Sequence, residues 1–511
     1  MNVDEFRERA KEAIDQIADY HESVPFRPVV STVEPNYLAP QLPTSAPLDP
    51  EPWTDITADI QSKIMPGITH WSHPGFIAFF CCTSSYPSAI AEMWSTAFNG
   101  AHFNWICSPA VTELEVIVMD WLAKLTGLPE CFLSTGPTRG GGVIHGSASE
   151  AILTVMVAAR DKFLTARTSH LSGAAKEDET RRIRGRLAVI GSTGTHSSTK
   201  KAAQILGVEY VTIPVHEKNG FAMQGRDLTR ALSDLDARGL EPFFLTTSLG
   251  TIEVCAVDDF TGIASALASR SGTSKEVWVH VDAAYAGAAL VLDENKPIAA
   301  PFHHFHSFNF NPQKWLLTTF DCSALWVRQR SHLTQSSLSV KPPYLRHESS
   351  NDDEDVVDYR DWQIPLARRF RALKLWFVMR AYGVRGLQSH VRQGIILGKS
   401  LENKLRSRSD LFCVLTPARF GLFTFCLREC DGNTDTNNKN TKALCDKINA
   451  GGHFFLTGST VHHNFSIRVC TSGASAQEET MEKLFDHLKK EARLILGQDS
   501  EYLTGKDKLA K

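Results

Sequence analysis

A chain of 511 residues with 42% hydrophobic and 22% charged residues has the make-up of a globular protein large enough for two or three packed units. Its formal net charge of -3 offers no basic field for nucleic acid, and no uncharged apolar run approaches the roughly 20 residues that span a bilayer. Nucleic-acid and membrane partners are therefore excluded as expectations. The 11 cysteines, odd in number and without paired CxxC spacing, read as reduced thiols of a soluble cytoplasmic protein.

The N-terminus is charged from the start and sets Phe6, Ala10, Ala13, Ile14, Ile17 and Ala18 on one helical stripe, which predicts a packing helix and not a signal peptide. A Pro-rich stretch from Val24 to Trp53 follows, extended, and serves either to wrap a partner subunit or to connect elements within the chain. From about Ser84 to Tyr382 helical periods alternate with short apolar runs. Ile152, Val155, Met156, Ala159 and Phe163 mark a helix, and Leu187–Ile190, Phe243–Thr246 and Val277–Val281 read as buried strands. This alternation predicts an α/β domain with a mainly parallel sheet. The polar stretch from Leu164 to Arg186 reads as a solvated loop. Beyond about Gly386, strand-like LFTFCL and SIRVC separated by helical stretches predict a small α+β domain.

The strongest chemical signal is Lys314 in the run HSFNFNPQKW, downstream of a strand that ends at Asp282-Ala-Ala-Tyr-Ala-Gly. Functional groups of open α/β sheets gather outside the carboxyl ends of strands, where Asp282 falls. A lysine amine that condenses with an aldehyde and a carboxylate that keeps a pyridine nitrogen protonated are what pyridoxal phosphate requires. Gly140-Gly-Gly-Val-Ile-His-Gly-Ser147-Ala148-Ser149-Glu150 leads into a helix whose free N–H groups suit a phosphate, although Ser147 and Glu150 equally suit a plain helix cap. His196 and Ser248 follow two further strands and place an imidazole and a hydroxyl at the same rim.

With these pieces in order, the chain resembles the group II pyridoxal-phosphate decarboxylases, most closely the aromatic-L-amino-acid decarboxylases. The resemblance runs over nearly the whole chain, through EFRERAKE, MPGITHW, SPAVTELEVIVMDWL, GGGVIHGSASEA, HVDAAYAG, FNFNPQKW, DYRDWQIPLARRFRALKLWFVMRAYG and SIRVC. It implies an aspartate-aminotransferase-like fold: residues 1–83 a helical and extended dimerisation segment, 84–385 a large cofactor-binding domain, and 386–511 a small α+β domain. It also implies that Lys314 carries the cofactor as a Schiff base, that Asp282 pairs with the pyridine nitrogen and that His196 stacks on the ring. Ser147, Ala148, Ser149, Ser248, Ala284, Asn311 and Gln313 match cofactor-binding positions. Trp71, Phe80, Cys82, Phe103 and Ala367 match the pocket for an aromatic amino acid, with Phe103 reaching in from the other subunit of a homodimer. Tyr344 matches the loop tyrosine that returns a proton to Cα, and its presence favours an amine product over the aldehyde of the related synthases.

Three departures accompany the match. Gln313 stands in place of a histidine and Cys81-Cys82 in place of Pro-Thr, so the contacts at Gln313 and Cys82 differ in donor strength. Ala367 stands where relatives carry Gly or Ser, and one methyl discriminates by only about 1–3 kcal/mol, which suits breadth over Trp, Phe and Tyr, with Dopa a further candidate substrate of the family. Asp431 to Asn437 has the alternating oxygens of a calcium loop but lacks its glycine and terminal Glu, and reads as a polar hairpin turn with calcium modulation as a minor alternative. The acidic run Asp352–Asp355 reads as a solvated face, and His303-His304-Phe-His306 lacks a second ligand group, so no metal is expected.

Overall fold

The computed structural model describes residues 1–340, 356–428 and 433–498. Two compact units divide it: one takes the described residues of Cys82–Gly398 and Ala418–Phe423, the other those of Met1–Cys81, Lys399–Pro417 and Thr424–Lys511.

The first unit is built on β1 (Gly141–His145), β2 (Leu187–Ser192), β3 (Glu209–Ile213), β4 (Glu241–Ser248), β5 (Trp278–Asp282), β6 (Ser307–Phe310) and β7 (Ser323–Val327). They form one sheet in the order β1-β7-β6-β5-β4-β2-β3. Pairing is parallel from β3 through β2, β4 and β5 to β6, and β7 runs antiparallel to both β6 and β1. Except in β3, every strand residue is buried, as expected of a sheet covered on both faces. The mainly parallel α/β architecture expected from the alternating pattern is what forms.

The helix Ala148–Thr168 covers one face. Its stripe of Ile152, Val155, Met156, Ala159 and Phe163 is at most 3% exposed and packs into one core with Val143, Phe243, Phe244, Trp278 and Leu325. Each such large side chain stabilises the fold by about 1.5–3 kcal/mol through burial. A buried ion pair crosses this unit: Arg368 donates to Glu115 at 2.6 Å and to the Ile144 carbonyl at 3.1 Å, while its guanidinium lies 4.3 Å from the Tyr359 ring centroid.

The second unit holds most of β8 (Phe412–Arg419) and β9 (Leu422–Leu427), with β10 (Thr457–Val461) and β11 (Asn464–Cys470), in a sheet of order β10-β11-β9-β8, and helices Thr434–Ala450 and Glu478–Ile495. The N-terminal segment joins this sheet through Ile77, whose N–H donates to the Phe455 carbonyl and whose carbonyl accepts from Cys470, at 3.0 and 3.1 Å.

Three local expectations are corrected. The polar stretch Leu164 to Arg186 is mostly helical: one helix runs on to Thr168 and another spans Gly173–Arg184, where Asp178 and Glu179 pair with Arg181 and Arg182 three residues on. The presumed hairpin at Asp431 to Asn437 is, in its described part, a helix start, because the Asn433 side chain caps Asp435 and Thr436. Asp431 and the run Asp352–Asp355 lie outside the described residues. The N-terminal helix, Val3–Ser23, buries none of its residues within the chain; Phe6 and Ile17 are 63% and 55% exposed.

Burial pushes His280, His306 and His390 down to about 4. An unfolded histidine takes up its proton near 6.5, so below that pH the unfolded state binds protons that the folded state refuses. Stability is fully present above about pH 6.5 and should fall as pH drops toward about 4. Thermal melts between about pH 7 and about pH 4.5 should show a steadily declining midpoint, and a flat one would contradict the burial of these rings.

Candidate active site

Parallel pairing brings the carboxyl ends of β4, β5 and β6 to one edge, and the register sets Ser248 beside Asp282 and Asp282 beside Asn309. The chain leaves β5 through a turn in which the Ala284 N–H donates to Asp282 Oδ1 at 3.0 Å, and Asn311 N–H donates to the Ala284 carbonyl at 3.0 Å. Asp282 is only 8% exposed. Lys314 lies on the short helix Pro312–Trp315 and is half-buried. That turn is clamped by the next residue, since the Trp315 ring stacks on Tyr285 at 5.2 Å with an interplanar angle of 4°.

His196 caps the helix Ser197–Leu206: its Nδ1 accepts from the Ser198 N–H at 3.0 Å and meets the Ser198 hydroxyl at 2.7 Å. With Nδ1 accepting, the neutral ring carries its proton on Nε2. Burial holds His196 below the ordinary histidine range, with the Asp282 carboxylate opposing that shift and the Lys314 ammonium adding to it. Asp282 and Lys314 are thus both within electrostatic reach of His196. Cys82 joins them: burial raises its thiol, and Lys314 partly offsets the rise. The segment after Cys82 is pinned to the lysine turn by Thr83, whose N–H donates to the Gln313 carbonyl at 2.8 Å and whose hydroxyl accepts from Leu317 at 3.0 Å.

At the start of the helix Ala148–Thr168, Ser147 Oγ accepts from Glu150 N–H at 3.2 Å, and the Glu150 carboxylate reaches back to Gly146 N–H at 3.0 Å and to His145 Nδ1 at 3.2 Å. Glu150 sits at about 2: burial opposes ionisation, and His145 with Gly146 overcomes it. The cap and an anion site coexist here, because the Ala148 and Ser149 N–H groups belong to the first helical turn, which has no carbonyl partners of its own. Asn311 Oδ1 accepts from the Ser323 hydroxyl at 2.7 Å, and Gln313 Oε1 accepts the Cys322 N–H. With its oxygen so engaged, Gln313 has only amide N–H donors left to offer, where an imidazole could carry charge.

The aromatic set is divided. Trp71 and Phe80 belong to the second unit, where Trp71 packs on Phe76 at 4.5 Å and the Arg468 guanidinium covers the Phe80 ring at 4.4 Å. Phe103 and Ala367 belong to the first unit with Cys82. There the Phe103 carbonyl accepts from Arg360 N–H at 2.9 Å, and Ala367 is exposed beside the buried Arg368. Tyr344 lies outside the described residues. Among the described residues no group of three or more His, Cys, Asp or Glu side chains is arranged to hold a metal ion.

Sequence reasoning missed Asp258. Its carboxylate accepts from Ser248 N–H at 2.7 Å, Thr247 Oγ at 3.0 Å and Met223 N–H at 2.8 Å, and so shapes the end of β4. Burial pushes it up to about 6 against those three donors. The only trace in the sequence is the Asp258-Asp259 doublet, whose roles separate only in three dimensions: Asp259 caps the following helix instead.

Residues 35–428 match the family described as the pyridoxal-dependent decarboxylase conserved domain. Among curated proteins, an aromatic-L-amino-acid decarboxylase of Bos taurus is 40% identical over 98% of this chain and 99% of its own length. A phenylacetaldehyde synthase of a Rosa hybrid cultivar is 41% identical over 94% of this chain and 92% of its own length. Among solved structures, Oryza sativa TDC with PLP and tryptamine superposes with a TM-score of 0.90 at 34% identity, covering 97% of this chain and 99% of that one. The donor set at the strand ends suits that cofactor: an amine, a nearly buried carboxylate, an imidazole and a helix start for a phosphate. On the strength of a match that takes in both the sheet and the turn bearing Lys314, this chain belongs to the pyridoxal-dependent decarboxylase family.

Proposed function

We propose that the chain decarboxylates aromatic L-amino acids, with Trp, Phe, Tyr and Dopa as substrates, to arylalkylamines and carbon dioxide, acting as a cytoplasmic homodimer. The observation that carries this reading is the meeting of His196, Asp282 and Lys314 at the carboxyl edge of the sheet. The identity to an aromatic-L-amino-acid decarboxylase over nearly the full length supports the substrate class.

When bound, pyridoxal phosphate supplies the electron sink for the charge left on Cα as carbon dioxide departs. Lys314 would hold the cofactor covalently through its amine. Asp282 holds a proton at the pyridine nitrogen, steadied by the Ala284 N–H. His196, fixed through Ser198, covers the ring and orients the substrate. The N–H groups of Ala148 and Ser149, with Ser147, Ser248, Asn311 and Gln313, hold the remaining polar groups of the cofactor. Cys82 and Ala367, with Phe103 from the neighbouring subunit, face the aromatic side chain, and Tyr344 delivers the proton to Cα.

A second reading, decarboxylation with oxidative deamination to an aldehyde, has the similarity to the phenylacetaldehyde synthase in its favour. It consumes oxygen and releases ammonia and hydrogen peroxide, so the products separate the two. Purified protein with pyridoxal phosphate should convert one or more of Trp, Phe, Tyr and Dopa to amine with matching carbon dioxide, and leave His largely untouched. Aldehyde with peroxide would instead establish the synthase, and neither product would leave a binding protein without turnover. Lys314→Ala should lower turnover by more than about a hundredfold. Tyr344→Phe should divert product from amine to aldehyde; an unchanged amine yield would move the proton donor elsewhere.

The homodimer is supported by apolar side chains that the single chain leaves in water. In the second unit these are Phe6, Ile14 and Ile17; in the first they include Ile90, Met93, Trp94 and Phe98, each about half exposed. Light scattering should report a dimer, and Phe6→Asp with Ile17→Asp should shift it toward monomer. A monomeric wild type would refute this part of the proposal.

A further inference from the structure

One face of β5 and β6 carries a row of buried polar side chains on the approach to Asp282. The Trp278 indole N–H donates to Ser307 Oγ at 2.8 Å. Ser307 Oγ lies 2.8 Å from His280 Nδ1, and His280 Nε2 lies 2.8 Å from Asn309 Oδ1. His280, Ser307 and Asn309 are fully buried, at 0% exposure. An amide oxygen can only accept, so His280 Nε2 carries a proton, and the neutral ring takes the Ser307 hydroxyl proton on Nδ1. Burial keeps this ring uncharged at neutral pH.

The row ends on an unused donor. Asn309 Nδ2 is buried and has no hydrogen-bond partner, although a buried amide N–H left unpaired costs on the order of 1–3 kcal/mol. Asn309 is the cross-strand partner of Asp282 in a parallel pair, where neighbouring strands lie about 5 Å apart and paired residues share a face of the sheet. The bond to His280 fixes which end of the Asn309 amide is left over. A buried free donor set beside the carboxylate of Asp282 is a feature with a use.

We propose that Asn309, oriented by the Trp278–Ser307–His280 row, is a positioning residue for Asp282: its amide N–H steadies the carboxylate in the pose that meets the cofactor's ring nitrogen. The row runs back through the core and ends in packed side chains, so the orientation is inherited from the sheet and not from a mobile loop. This rests on the reading of Asp282 as the partner of that nitrogen, and the experiment separates the two.

The measurement is the absorption spectrum of bound pyridoxal phosphate, with its dissociation constant by equilibrium dialysis, in the holoenzyme and in four variants. Asp282→Asn should move the absorption band and weaken binding. Asn309→Ala and His280→Leu should move the band in the same direction and weaken binding by about tenfold, the effect of losing one hydrogen bond to a charged group. His280→Gln keeps a donor toward Asn309 and should stay near wild type. Melting of the cofactor-free proteins supplies the structural control. If Asp282→Asn moves the band while Asn309→Ala and His280→Leu lower only the melting temperature, the row is structural and the inference is overturned. If Asp282→Asn leaves the band in place, the reading of Asp282 has failed and the inference falls with it.

Discussion

Parallel pairing of β4, β5 and β6 is the constraint on which the candidate site depends. Strands that run the same way deliver their carboxyl ends to one edge, and a fixed register decides which residues stand abreast there. Ser248, Asp282 and Asn309 are abreast for this reason alone. A shift of one residue in β5 would turn Asp282 to the opposite face and put a neighbour in its place. Lys314 then needs only a short turn after β6 to reach the same edge, and the stacking of Trp315 on Tyr285 keeps that turn in place.

The sheet that carries the site is dry on both faces, so the polar groups inside it need partners. Most have them: Asp258 accepts three hydrogen bonds, Glu115 Oε1 accepts from both Arg368 and the Ile144 N–H, and Arg368 also donates to the Ile144 carbonyl. Breaking a buried pair of this kind typically costs about 3–5 kcal/mol, because the remaining charge has no water to turn to. Arg368 follows Ala367 directly, and its N–H donates to the Ala101 carbonyl at 2.6 Å. The segments bearing Ala367 and Phe103 are thereby tied into the same rigid scaffold, which suits residues proposed to shape a pocket.

The candidate-site features legible in the sequence were those with a local signature. A strand ending in Asp282, a glycine-rich lead into a capped helix and a lysine after a further run could each be read in order. Strands β2, β4 and β5 were visible as short apolar runs. β6 was not, because Ser307 and Asn309 break its apolar pattern, yet both are fully buried through bonds to neighbouring strands. The helix Gly173–Arg184 was hidden for the opposite reason: its charged residues look like a loop, and its support comes from pairs one turn apart.

The sequence by itself determined the alternation of elements, the helix cap at Ser147, and the residue types available for chemistry, since each depends on near neighbours along the chain. Only the tertiary structure decided which of those residues meet. The register of β5 against β6, the use of Asp258 at the end of β4 and the joining of Ile77 to Phe455 and Cys470 are contacts between distant segments. Such contacts are selected by the packing of the whole core, where burial without a partner is too costly to persist. No local stretch of sequence carries that information.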